Sequence, residues 1–229
     1  MKAAVAQLLQ FPGVWRGGEL EHALHPVVAT GHSALDAELP GGGWPVGTLS
    51  EVLHDGMGIG EVSFLMGALA RAAERSRLLA WVNPPYLPYA PALAQTGIAL
   101  PICLVVRPAN REDALWAAEQ ALKSGACGAV MLWMERFTEE YAWLRRLQMA
   151  AEAGRSMALL FRSTIAEKHS TPSHLRVVLS RDDEGLKVRI PKRRGPPLIH
   201  PIPCFGSRSS SPHLPSRSSN APVLVSSRS

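Results

Sequence analysis

Thr48-Leu49-Ser50-Glu51-Val52-Leu53-His54-Asp55-Gly56-Met57-Gly58-Ile59-Gly60-Glu61-Val62-Ser63 is the stretch that decides the fold. Thr48–His54 (TLSEVLH) reads as a strand. Three glycines follow within five positions, and Glu61–Glu74 (EVSFLMGALARAAE) is amphipathic and rich in Ala and Leu. A strand, a glycine loop and a helix in that order form the junction at which α/β proteins hold phosphate. Glycines let backbone N–H groups curl round an anion, and the helix N-terminus adds about half a positive charge. Catalytic loops of the form GxxxxGK[ST] also need a Lys after the last Gly and a hydroxyl for magnesium. With Gly60 as that last Gly, Asp55 takes the first position, and Gly56 and Gly58 lie inside the loop. Glu61 then replaces the Lys and Val62 the hydroxyl. Two carboxylates facing a triphosphate cost on the order of several kcal/mol in a partly dehydrated site. The loop keeps the shape and lacks the chemistry, so no nucleotide, cofactor or catalysis is expected of it.

Outward from this junction, short apolar runs alternate with helical patterns. Leu78–Val82, Ile102–Arg107, Ala129–Met134 and Met157–Arg162 read as strands. A segment around Tyr89–Gln95, Arg111–Lys123 and Thr138–Ala151 read as helices. Continuous apolar strands predict a mostly parallel sheet covered on both faces by helices, an α/β fold. His174–Ser180 and Leu186–Ile190, joined by Arg181-Asp182-Asp183-Glu184-Gly185, predict a C-terminal β-hairpin. The run Leu132-Trp133-Met134 ends the fourth strand, where a nucleotidase needs an Asp to hold magnesium; Trp133 stands in that position.

The chain has 229 residues, 46% hydrophobic and 19% charged, enough for one domain with additions. The expected division is an N-terminal arm or helix (1–25), one domain (26–200) and a Ser/Arg/Pro-rich tail (201–229). Residues 206–229 hold ten Ser and three Arg and no acid, a composition that predicts disorder. Eight bases and no acid follow Glu184, so the pI of 9.4 reflects the C-terminal end while residues 1–184 carry a net −3. That does not support a basic nucleic-acid face over the whole domain. Cys103, Cys127 and Cys204 form no CxxC pair, and no apolar run of 18 residues occurs. No metal site, disulfide framework or membrane span is expected, and the cysteine usage fits the cytoplasm.

Thr30-Gly31-His32-Ser33-Ala34-Leu35-Asp36 and Gly41-Gly42-Gly43-Trp44-Pro45-Val46-Gly47, leading into Ser50-Glu51-Val52, resemble the lead-in to a RecA-type core. With Phe11-Pro12-Gly13-Val14-Trp15-Arg16-Gly17-Gly18 and Lys192-Arg193-Arg194-Gly195, the chain resembles the ImuA family over roughly residues 8–200. That resemblance implies a RecA-like core with a degenerate phosphate loop. It also implies a cytoplasmic, nucleoid-associated adaptor in SOS-induced, error-prone translesion DNA synthesis. The implied partners are an inactive Y-family polymerase homologue (ImuB), an error-prone C-family DNA polymerase and RecA, with weak or indirect DNA binding. Residues 49–163 also resemble SulA, the SOS-induced inhibitor of cell division. The pieces are Ser50-Glu51-Val52, Leu79-Ala80-Trp81-Val82-Asn83-Pro84, Ala121-Leu122-Lys123-Ser124-Gly125 and Leu159-Leu160-Phe161-Arg162. SulA implies binding of the polymerising division GTPase. A residual nucleotide-binding ATPase switch is the third reading. Only Ser163–Ser173 separate the fifth strand from the hairpin, where RecA carries a much longer DNA-binding loop.

Several candidates keep two readings. Lys192-Arg193-Arg194 suits phosphates or an acidic partner, and equally a solvated strand end. Gln7, Leu8 and Phe11 lie in a segment loosely like clamp-docking peptides, and equally fit an amphipathic helix. Glu139 and Glu140 suit helix capping. Most tryptophans are expected in the core, with Trp15 and Trp44, in Gly/Pro loops, as exposed anchors.

Overall fold

The computed structural model describes residues 25–205 apart from 57, 75, 76, 135–139, 196, 197 and 199. Expectations for Gln7, Leu8, Phe11, Trp15, Glu139 and residues 206–229 therefore lie outside the described residues.

Ten strands and five α-helices are described. A two-stranded antiparallel ribbon, β1 (Val27–Val28) and β2 (Trp44–Pro45), flanks helix α1 (Ser33–Glu38). Then come β3 (Thr48–His54), α2 (Glu61–Ala72), β4 (Leu78–Val82), α3 (Ala90–Gln95), β5 (Cys103–Val106), α4 (Arg111–Lys123), β6 (Cys127–Trp133), α5 (Tyr141–Gly154), β7 (Met157–Arg162), β8 (Leu175–Asp182), β9 (Gly185–Lys192) and β10 (Ile202–Phe205). The large sheet runs β10-β9-β8-β3-β7-β6-β4-β5. All pairs from β8 to β5 are parallel; β8–β9 and β9–β10 are antiparallel. The fold is thus α/β with a large, mostly parallel sheet flanked by helices.

The glycine-loop strand β3 is central and buried along its whole length. Its side chains alternate between two cores. On the α2 side lie Val52, Phe64, Leu65, Trp81, Trp133 and Phe161; on the α4 and α5 side lie Leu49, Ala80, Leu115, Leu132, Leu144 and Leu160. Glycine is required at two backbone crossings. A Cβ on Gly128 would run into the Ala72 carbonyl at the end of α2, and one on Gly154 into the Leu122 carbonyl of α4. These approaches let the helices seat close to β6 and to each other.

Four expectations need correction. The fold continues past residue 200: β10 pairs with β9 despite Pro201 and Pro203. Proline lacks the N–H for an interior ladder but is tolerated on an edge strand, which is where β10 lies. Trp44 is fully buried, edge-on to Phe64 at 6.0 Å, whereas Trp116 on α4 is 59% exposed. The β1–β2 ribbon folds the Gly/Pro stretch inward, which residue type alone does not reveal. Glu140 sits at the N-cap of α5 without a side-chain capping bond. Finally, β5 is an edge strand whose Leu104 and Val105 are exposed, so helices do not cover every apolar strand.

Candidate functional site

The loop between β3 and α2 takes left-handed backbone at Gly56 (φ 108°), Gly58 (φ 76°) and Gly60 (φ 102°), a region closed to most L-residues. The sequence thus builds the curled loop it promises. At the last of these glycines the chain bonds to itself. The Glu61 side chain turns back so that Oε2 accepts from the Gly60 N–H at 3.1 Å, and the residue is almost buried. A carboxylate of the protein lies at the helix N-terminus where a bound anion would otherwise be favoured.

Asp55 is likewise engaged. It accepts from the Thr164 hydroxyl, from the Thr164 N–H at 3.0 Å and from Ser163 Oγ at 3.1 Å. The Thr164 hydroxyl bond is the main reason its carboxyl lies below the usual range. The glycine loop is thereby fastened to the 3-10 turn Thr164–Lys168 after β7. From the other side Arg181 Nη1 donates to the Ile59 carbonyl at 2.9 Å. Val62 borders the neighbouring groove, and Trp133 lies in an aromatic stack. Its ring is parallel to Phe161 at 4.4 Å and to Trp81 at 5.9 Å. The stack fills the strand ends with apolar surface.

Beneath the 163–173 segment lies a buried ion cluster. Glu51 Oε2 accepts from Arg162 Nη1 at 3.0 Å, Arg176 Nη2 reaches both Glu51 oxygens at 3.2 and 3.0 Å, and the Thr171 hydroxyl also bonds Glu51. Burial pushes the Glu51 carboxyl up. Thr171, Arg176, Ser173 and Arg162 together outweigh it, and the net direction is downward. The ionised form is therefore the native one.

Of the basic run, Lys192 Nζ donates to the Thr171 carbonyl at 2.7 Å, and Arg193 donates to the Glu38 carbonyl and, at 3.0 Å, to its carboxylate. Lys192 and Arg193 are thus fastened to the fold, and Arg194 lies close enough to His174 to act on its charge. The lead-in residues also have packing roles. Asp36 Oδ1 accepts from the Thr30 N–H at 2.8 Å, Leu35 is fully buried, and His32 stacks on Phe64 with ring centroids 5.2 Å apart.

A groove absent from the sequence reading opens beside the loop. It has a volume of about 310 Å³. Glu61, Val62 and Met66 of α2 form one wall and Pro84-Pro85-Tyr86-Leu87-Pro88-Tyr89 the other, with Trp81 and Trp133 at its base. Asn83 adopts left-handed backbone (φ 55°), donates its N–H to the Val106 carbonyl at 2.9 Å and Nδ2 to the Trp133 carbonyl at 2.9 Å. It fixes the start of the outer wall across β4, β5 and β6. Tyr86, Leu87 and Tyr89 are 62–66% exposed. Three prolines stiffen this loop, and large apolar side chains held rigidly at a surface suit protein binding. The sequence did carry a signal: residues 78–106 contain no Asp, Glu, Lys, Arg or His, in a chain that is 19% charged.

Comparison with known proteins bears on this region. The family described as cell division inhibitor SulA matches residues 47–158, just under half of the chain. The cell division inhibitor SulA of Edwardsiella piscicida is 35% identical over 100 residues, 43% of this chain and 58% of that protein. The chain thus matches somewhat more than half the length of this curated relative. The family match contains the glycine loop and both walls of the groove. It leaves out β1, α1, β2 and β8–β10.

Proposed function

We propose, from the likeness of residues 47–158 to SulA, that the chain is a non-catalytic protein-binding module of the SOS response. Its leading reading is inhibition of cell division by binding the polymerising division GTPase. The observation that carries it is the extent of that likeness: the matched span builds both the self-bonded loop and the rigid apolar groove. The groove offers aromatic and proline surface, and binding there needs no nucleotide turnover. Expression in dividing cells tests this reading. Wild type is expected to produce filaments, and Leu87→Asp, which places a charge on the outer wall, to restore normal division. Normal division under wild-type expression contradicts it.

A second reading is favoured by a specific observation. The Thr30–Gly47 lead-in and strands β8–β10 lie outside the SulA match, yet are integrated into the fold through β1–β2, the Arg193–Glu38 bond and the sheet. These segments carry much of the ImuA resemblance. On this reading the chain is an adaptor in translesion synthesis. Co-purification from DNA-damaged cells would then recover the Y-family homologue and the C-family polymerase without the division GTPase. The ATPase reading is the weakest, because Glu61 stands in place of the Lys and its carboxylate takes up the Gly60 N–H. Calorimetry with ATP and magnesium is expected to give no binding, and saturable binding strengthened by Glu61→Lys would revive it.

A further inference from the structure

We infer that the groove between α2 and the 84–89 loop takes the chain's own Pro212-His213-Leu214-Pro215-Ser216-Arg217 segment, an intramolecular contact that a partner must displace. Four aromatic rings, Trp81, Tyr86, Tyr89 and Trp133, line this groove. Aromatic-lined grooves suit peptides whose prolines are three positions apart. That spacing favours polyproline II, which has three residues per turn and sets both prolines on one edge, so little ordering entropy is lost on binding. Pro212 and Pro215 have this spacing, and no other pair of prolines outside the described residues does.

Charge agrees with this occupant. Glu61 is the one charged residue among the described residues that line the groove, and it is an acid. Residues 206–229 carry three arginines and no acid, and Arg217 lies two positions past Pro215. Groove and segment therefore attract rather than repel.

The fold delivers the segment to the right edge. Strand β10 is antiparallel to β9 and β9 to β8, so β10 runs in the same sense as β3 and β4. The chain leaves β10 at the carboxyl end of the parallel strands, where the glycine loop and the 84–89 loop also stand. Phe205 pairs with Leu186, Leu186 pairs with Arg181, and Arg181 donates to the Ile59 carbonyl of the glycine loop. Ile202 shares a core with Trp81 and Trp133, so exit and groove lie on one face of the sheet. Six strand spacings separate β10 from β4, about 29 Å. Pro215 lies ten residues beyond Phe205, and ten extended residues span about 33 Å. The segment therefore reaches.

The contact stands on the groove alone, while its regulatory consequence rests on the proposed function. Photo-crosslinking of the full chain tests it, with p-benzoylphenylalanine in place of Leu214 and products mapped by mass spectrometry. The expected product is a monomer linked to residues 61–66 or 81–93, and Leu87→Asp, checked for folding by far-UV circular dichroism, is expected to lose it. Links confined to other residues, a linked dimer, or a product that survives Leu87→Asp overturns the inference. A labelled peptide of residues 209–220 gives a second measure. It is expected to bind the full-length Pro212→Ala/Pro215→Ala/Arg217→Ala variant at least about tenfold more tightly than wild type, whose own segment holds the groove at high effective concentration. Equal affinities, or no saturable binding to the variant, overturn the inference. Neither measurement contains the GTPase, so failure of the division-inhibitor reading leaves both results standing.

Discussion

At the scale of single residues, burial turns ordinary side chains into fixed parts. Glu51, Arg162 and Arg176 are at most 5% exposed, and Arg162 leaves Nε and Nη2 without a hydrogen-bond partner. The cluster therefore depends on its one carboxylate. Replacing Glu51 by Gln leaves two buried guanidinium groups uncompensated, and is expected to lower stability by about 3–5 kcal/mol in urea unfolding. A loss below about 1 kcal/mol would show that the cluster is hydrated. Glu61 is different, because its partner is a single N–H of its own loop. Its replacement by Gln is expected to change stability by less than about 1 kcal/mol, while opening the helix N-terminus to inorganic phosphate. The lost Lys and hydroxyl positions were legible in the sequence. That Glu61 turns back onto the Gly60 N–H was not, since this depends on a side-chain conformation.

At the scale of elements, the alternation of strands and helices was legible because each run is long enough for its period to show. The short pieces were not. Six residues of α1 and two each of β1 and β2 lie in a Gly/Pro-rich stretch that reads as loop, and their order comes from tertiary contacts such as Thr30 to Asp36. Strand β10 carries two prolines and depends on its edge position. Burial on both faces was assigned to β5 from its composition, but edge or centre is a property of the sheet. Close packing of elements gives one direct expectation: Gly128→Ala pushes α2 from β6, and should lower stability by about 1–3 kcal/mol in thermal or urea unfolding. Another follows at the start of β8. His174 has its pKa lowered to about 4, first by burial and then by Arg194, His25 and Lys192. The neutral ring is the native form. Its contribution is complete above the ordinary value of 6.5 and is lost as pH falls through about 4. Between those limits His174→Gln should lose less stability than wild type, by up to about 2 kcal/mol once solvent screening of the half-buried ring is allowed for. Parallel pH profiles would contradict this.

At the scale of the whole molecule, an α/β fold carries a glycine loop whose two carboxylates bond to the chain itself, with a stiff apolar loop standing beside it. The uncharged stretch 78–106 supplies both the outer wall of the groove and the exposed edge strand. Two surfaces on one stretch are consistent with a chain that works by contact. The described helices are too short and polar to cross a membrane. The most direct test is to sediment the purified division GTPase with GTP, in the presence and absence of the purified chain. Wild type is expected to reduce the polymer pellet, and Leu87→Asp to leave it unchanged. A full pellet in the presence of excess wild-type chain would contradict the division-inhibitor reading.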